Sequence, residues 1–125
     1  MTIKTGTLVK IWHNGRGHDY AVACLNASTN EIGLIKNNCI NNDGSIHAAT
    51  RKAGKVHKWL TYNNLGDQRI VPRITRVLGD RELDGEAIYE FLREAHILDN
   101  DIVTIVHPTH NIYSTAQDNR TAVTY

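Results

Sequence analysis

Short apolar runs recur along the first third of the chain, each broken by turn formers. Residues 8–12 (Leu-Val-Lys-Ile-Trp) and 20–25 (Tyr-Ala-Val-Ala-Cys-Leu) read as strands, separated by His13-Asn14-Gly15-Arg16-Gly17-His18-Asp19. Asn-Gly tolerates positive φ, so the pattern predicts a β-hairpin with a loop over 13–19. Residues 31–35 continue as a third strand. The polar stretch 37–44, dense in Asn and closed by Gly44, predicts a long loop. Residues 102–106 form an unbroken apolar run, the pattern of a strand covered on both faces. Ile112-Tyr113 and residues 122–125 predict further edge strands.

The period changes in the third quarter. Ala87, Ile88, Phe91, Leu92 and Ala95 recur at helical spacing and predict an amphipathic helix over 85–97. Asp84 is its N-cap, and Glu86 places negative charge in the first turn, where the helix dipole favours it. Pro72 restricts 72–78 to a short helix beginning at the proline, or to a strand, and the pattern does not choose. Together these elements predict one α+β domain spanning 1–125. Its core is an antiparallel, barrel-like or strongly bent sheet with the 85–97 helix packed on it.

Composition agrees with a folded domain: 41% apolar and 22% charged residues in 125 exclude a wholly disordered chain. The opening MTIKTGTLVKIW has no apolar core of signal-peptide length, and no run reaches the length of a membrane span. Cys24 and Cys39 form no C-x-x-C pair and no disulfide framework. The expectation is a reduced, cytoplasmic protein with no membrane association, in which Cys24 is a buried thiol.

Charge changes the picture most. The formal net charge is only +1, but it conceals two opposed blocks. Residues 44–79 carry Arg51, Lys52, Lys55, Lys58, Arg69, Arg73 and Arg76 against Asp67 alone. Residues 80–101 carry Asp80, Glu82, Asp84, Glu86, Glu90, Glu94, Asp99 and Asp101 against Arg81 and Arg93. A surface divided in this way attracts a phosphate-bearing ligand, a second copy of the chain, or its own other half. Glu86, Glu90 and Glu94 stack four apart along one helix face, which faces water or something basic.

The basic block supplies the leading functional reading. Arg51, Lys52, Lys55 and Lys58 would meet phosphates, while Trp59 and Tyr62 would offer flat faces for base stacking. Arg69, Arg73 and Arg76 would extend that groove. The ligand so implied is nucleic acid or a nucleotide-type anion, bound without catalysis, and no cofactor or metal is required. Two catalytic alternatives remain open. His107 and His110 follow the 102–106 strand and could act as a general acid and base on a phosphodiester. Asp84, Asp99 and Asp101 bracket the helix and could hold a catalytic metal. Neither cysteine completes a zinc pattern. A third class is an accessory or inhibitory protein docking through the acidic helix, and the two blocks could also join copies into a homo-oligomer. His13 and His18 flank the hairpin tip, where Gly15-Arg16-Gly17 could cradle an anion.

The opening GTLVKIWHNGRGHDYAVACL resembles the small barrel of translation and transcription factors, in which two strands and a Gly-containing turn contact RNA. That likeness spans about a sixth of the chain. The acids around 85–97 are similar in placement to those of junction-resolving nucleases, over one helix only. Neither resemblance defines a family.

Overall fold

A computed structural model describes residues 3–95, 97, 102–103 and 112–114. Strand β1 (Thr7–His13) turns directly into β2 (Arg16–Asn26) through Asn14 and Gly15. Both turn residues have positive φ, 51° and 76°, the geometry of a two-residue turn whose twist matches the flanking strands. The expected seven-residue loop is therefore replaced by strand almost to the tip, with His13 paired to Arg16 and Trp12 to Gly17. Asn-Gly alone satisfies the turn. Gly17 is left as a strand residue, over which the Lys10 side chain lies so closely that a Cβ would meet its Cδ at 2.8 Å.

The hairpin is the centre of a larger antiparallel sheet. β3 (Glu31–Lys36) pairs with β2, β4 (Lys58–Thr61) pairs with β3, and β7 (Arg76–Asp80) pairs with β1. The order is β4-β3-β2-β1-β7, and β8 (Ile102–Val103) pairs with the far end of β2 at Leu25 and Asn26. A smaller sheet holds the hairpin β5 (Asn63–Leu65) and β6 (Gln68–Val71), with β9 (Tyr113–Ser114) parallel to β6. The helices are α1 (Ala48–Ala53) and α2 (Gly85–Glu94). This is the expected α+β class, although among the described residues the strand path from β4 to β7 is open, not closed into a barrel.

Alternation along the strands divides the core in two. Val9, Ile11, Tyr20, Val22, Leu25, Ile32, Leu34 and Leu60 face one way and pack with Tyr62, Val71, Ile74 and Val77. Ala21, Ala23, Cys24 and Ile35 face the other way and pack under Ile88, Phe91 and Leu92 of α2, with Ile40, Ile46 and Val56 closing the layer. The register of β2 on β3 slips between Val22 and Cys24, so Ala23 and Cys24 both reach the helix side. Small residues there make room for large ones. Gly33 is the sharpest case: a Cβ at that position would lie 2.6 Å from Cys24 Sγ and 3.1 Å from the Trp59 ring.

Of the two alternatives left for 72–78 the structure takes the strand, and other expectations are corrected. Pro72 sits in a turn, and β7 supplies the pairing that β1 needs, with Val77 opposite Val9 in the core. The Thr75 N–H and hydroxyl both donate to the Lys10 carbonyl, at 3.0 and 2.7 Å. The polar 37–44 segment opens with a short 3-10 turn (Asn37–Cys39) and is pinned by Arg81, whose guanidinium donates to Asn37 Oδ1 at 2.8 Å and the Asn41 carbonyl at 2.7 Å. The main helix ends at Glu94, not at 97. Its cap is as expected: Asp84 accepts from the N–H groups of Glu86 and Ala87 at 3.1 and 3.3 Å. Of the 102–106 strand only Ile102–Val103 falls within the described residues, and 122–125 lies outside them. No helix among the described residues is long and apolar enough to cross a membrane.

Two outcomes test this core. Phe91→Ala empties the centre of the α2 contact and should cost about 3–5 kcal/mol in chemical denaturation; a loss within error would contradict the packing of α2. Burial pushes the Cys24 thiol up to about 12, whereas Cys39 is only half-buried. A thiol reagent at neutral pH should therefore label Cys39 in the native protein and reach Cys24 only after denaturation.

Candidate functional site

The structure disperses the residues that the basic block was expected to bring together. Arg51 and Lys52 occupy the last turn of α1, which Gly54 ends with a left-handed φ of 67°. Arg51 lies 4.0 Å from Glu94 of α2, both half-exposed. The groove beside them, about 310 Å³, is lined by Glu90 and Glu94 as well as by Arg51. A polyanion laid here would meet carboxylates. Lys55 is exposed and Lys58 half-buried on β4.

The expected stacking residues have other duties. Trp59 is half-buried on the helix side of the sheet, its ring lying across Gly33. Tyr62 is 3% exposed and belongs to the opposite core, so it presents no face for a base. Sequence distance misleads further along. Arg69 is on β6 of the small sheet and Arg73 is in the turn before β7. Arg76 is on β7, which the sheet order separates from β4 by three strands. The nine residues do not line one groove.

The catalytic alternatives gain little. Asp84 spends its carboxylate on the α2 cap. His107, His110, Asp99 and Asp101 lie outside the described residues. Among the described residues, no group of three or more His, Cys, Asp or Glu could hold a metal.

A different surface does concentrate suitable chemistry. β3 stops pairing with β2 at Lys36 opposite Tyr20, so among the described residues only β1 pairs with residues 16–19 of β2. The end of the hairpin thus projects as a two-stranded ribbon, and every residue from 12 to 17 is exposed. On one face Trp12 lies opposite Gly17, and Lys10 lies opposite both Asp19 and Arg76. Arg16 sits at the turn opposite His13. Trp12 is 55% exposed. Lys10 Nζ meets Asp19 Oδ1 at 3.1 Å.

Next to Trp12 is an open polar groove of about 330 Å³. Lys10 and residues 17–19 form one wall, and residues 36–38 form the other, where the chain leaves β3. Arg81 holds this second wall by gripping Asn37. The sequence reading did not select Trp12, Lys10 or Asp19. The signal was present, because Leu8, Lys10 and Trp12 alternate with the inward Val9 and Ile11. What periodicity could not give was the point at which the covering layer ends.

His57 supports the same wall from behind. Its backbone N–H donates to the Leu34 carbonyl at 2.9 Å, and its Nδ1 accepts the Lys36 N–H at 3.0 Å. Partial desolvation of the ring, and then the Lys36 charge, hold its pKa below the ordinary 6.5. Acceptance at Nδ1 also requires the neutral form.

No protein-family model matches this chain, and neither a curated protein nor a solved structure is significantly similar to it.

The lowered His57 pKa has a definite sign. Between the folded and unfolded values the unfolded chain binds more protons, so the stability this residue contributes is present above about 6.5 and lost as pH falls toward the folded value. In an NMR titration the His57 ring should titrate below 6.5, and Lys36→Gln should move it part of the way back; a midpoint at or above 6.5 in the wild type would contradict the assignment.

Proposed function

We propose that this protein binds a phosphate-rich ligand without turning it over, nucleic acid ahead of a nucleotide-type small molecule, through the projecting β1–β2 ribbon. One observation carries the reading: Trp12 stands 55% exposed on a strand, with Lys10 and Arg76 across from one another beside it and Arg16 at the turn. An indole left in water on a rigid strand offers a flat face to a base, and stacking on such a face contributes about 1–3 kcal/mol per base. Arg16 and Arg76, which have no ion pair among the described residues, supply attraction to phosphates that depends little on sequence, while Lys10 shares its charge with Asp19. A two-stranded ribbon is also narrow enough to enter a nucleic-acid groove.

The original basic segment is secondary in this reading. Arg51 already meets Glu94 of its own chain, which also weakens the case for a homo-oligomer joined through the opposed charge blocks. A cytoplasmic setting belongs to the same proposal, supported by the two unpaired cysteines.

Fluorescence anisotropy with a labelled mixed-sequence single-stranded oligonucleotide tests the proposal. Binding should weaken as salt rises, and Trp12→Ala should weaken it roughly tenfold or more. Lys52→Ala and Lys55→Ala should change it little. Absence of binding, or sensitivity to Lys52 and Lys55 with none to Trp12, would overturn the reading.

A further inference from the structure

The groove beside Trp12 contains a residue that phosphate binding does not explain. Asp19 is a carboxylate, 42% exposed, in the middle of a surface otherwise suited to anions. Its Oδ1 meets Lys10, and among the described residues no other hydrogen bond reaches its carboxylate. Oδ2 is thus open to a donor from the groove. Across the groove, Asn37 accepts from Arg81 through Oδ1, which leaves its amide N–H₂ as a donor without an acceptor among the described residues. Asn38 adds a second carboxamide on the same wall. The groove is therefore lined by a carboxylate on the β2 side and two carboxamides on the Asn side, together with Lys10 and Lys36.

This is the complement of a nucleobase edge. Resting on the ribbon reading above, we propose that the groove is a base-recognition pocket for single-stranded nucleic acid, and that Asp19 makes it favour bases carrying an amino group. Its volume, about 330 Å³, falls at the small end of ligand pockets, with room for one base and its sugar and none for a duplex. A paired base would have its Watson–Crick edge occupied, whereas an unpaired base can present it. Trp12 lies directly opposite Gly17, which lines the groove. The Lys10 side chain lies over Gly17, so a strand passing from the indole to the groove would meet a cation there. Asp accepts from the cytosine N4 amino group. Uracil, of nearly the same shape, presents the O4 carbonyl at that position, and this oxygen would face the carboxylate with no proton between them. Discrimination then comes from repulsion of the wrong base as much as from attraction of the right one.

Twelve-residue oligocytidine and oligouridine at near-neutral pH, read by anisotropy against the intact protein, test the pocket. The wild type should bind oligocytidine about tenfold more tightly than oligouridine. Asp19→Asn should remove that preference. Lys10→Gln should weaken both ligands and keep the preference, which assigns it to Asp19 and not to the ion pair. Thermal melts confirm that each variant is folded. Equal binding of the two oligomers by the wild type, with both still weakened by Trp12→Ala, would overturn the pocket and leave the ribbon reading standing. Tighter binding of a duplex than of either single strand would overturn it in the same way. Binding of neither oligomer nor duplex would remove the ribbon reading and the pocket together.

Discussion

The constraint on which the rest of this structure depends is that β2 is buried on both faces. Residues 20–25 are all buried, although an ordinary strand of a one-sided sheet would alternate. A strand of this kind needs hydrogen-bonding neighbours on each side and a covering layer above and below. β1 and β3 supply the neighbours. α2 and the 40–56 segment cover the Ala21, Ala23 and Cys24 side, while Tyr62, Val71 and Ile74 cover the Tyr20, Val22 and Leu25 side. The sizes are complementary. Alanine, cysteine and glycine on the sheet admit Phe91 and the Trp59 ring, which larger sheet residues would hold away.

The same requirement decides what becomes of the charge blocks. α1 and α2 are drawn over one face of the sheet, so the acidic row and part of the basic segment come close within one chain. Arg51 meets Glu94 across the two helices, and Arg93 pairs with Glu90 along α2 at 2.6 Å. Exposed pairs like these contribute little stability, because water and salt screen them. Their larger effect is on the potential outside the protein, where neighbouring carboxylates cancel the attraction that Arg51 would otherwise exert on an anion. Arg81 does a different job. It reaches back from the end of β7 to hold the Asn37–Asn41 loop through an amide oxygen and a carbonyl, without a carboxylate partner among the described residues.

The candidate surface exists because β2 is longer than its cover. The strand has eleven residues, and its pairing with β3 begins only at Tyr20. What lies before that point cannot be buried and projects with β1 as a ribbon. Trp12, Lys10 and Asp19 are therefore held on regular strand backbone, positioned by the register of a tight turn and not by a loose loop. Rigid placement of an exposed aromatic beside a groove is what a binding surface requires, since little ordering entropy is then lost on association.

Local chemistry alone determined much of this protein. Asn14-Gly15 dictates a hairpin because both residues accept positive φ, and Asp84 followed by the 3.6-residue apolar stripe dictates a capped helix. The α+β class follows from those elements, and Cys24 is marked as buried by the apolar run around it. Other features were beyond any local rule. The choice of strand at 76–80 came from the open edge of β1, and the ends of the hairpin loop from pairing that extends to the tip. Tyr62 and Trp59 carry the same aromatic signal as Trp12. Only the folded arrangement decides that the first is sealed in the core, the second laid across Gly33 and the third left in water. Exposure is a property of what covers a residue, and the cover for β1 and β2 comes from separate later segments, the 40–56 stretch, Tyr62, Val71, Ile74 and α2.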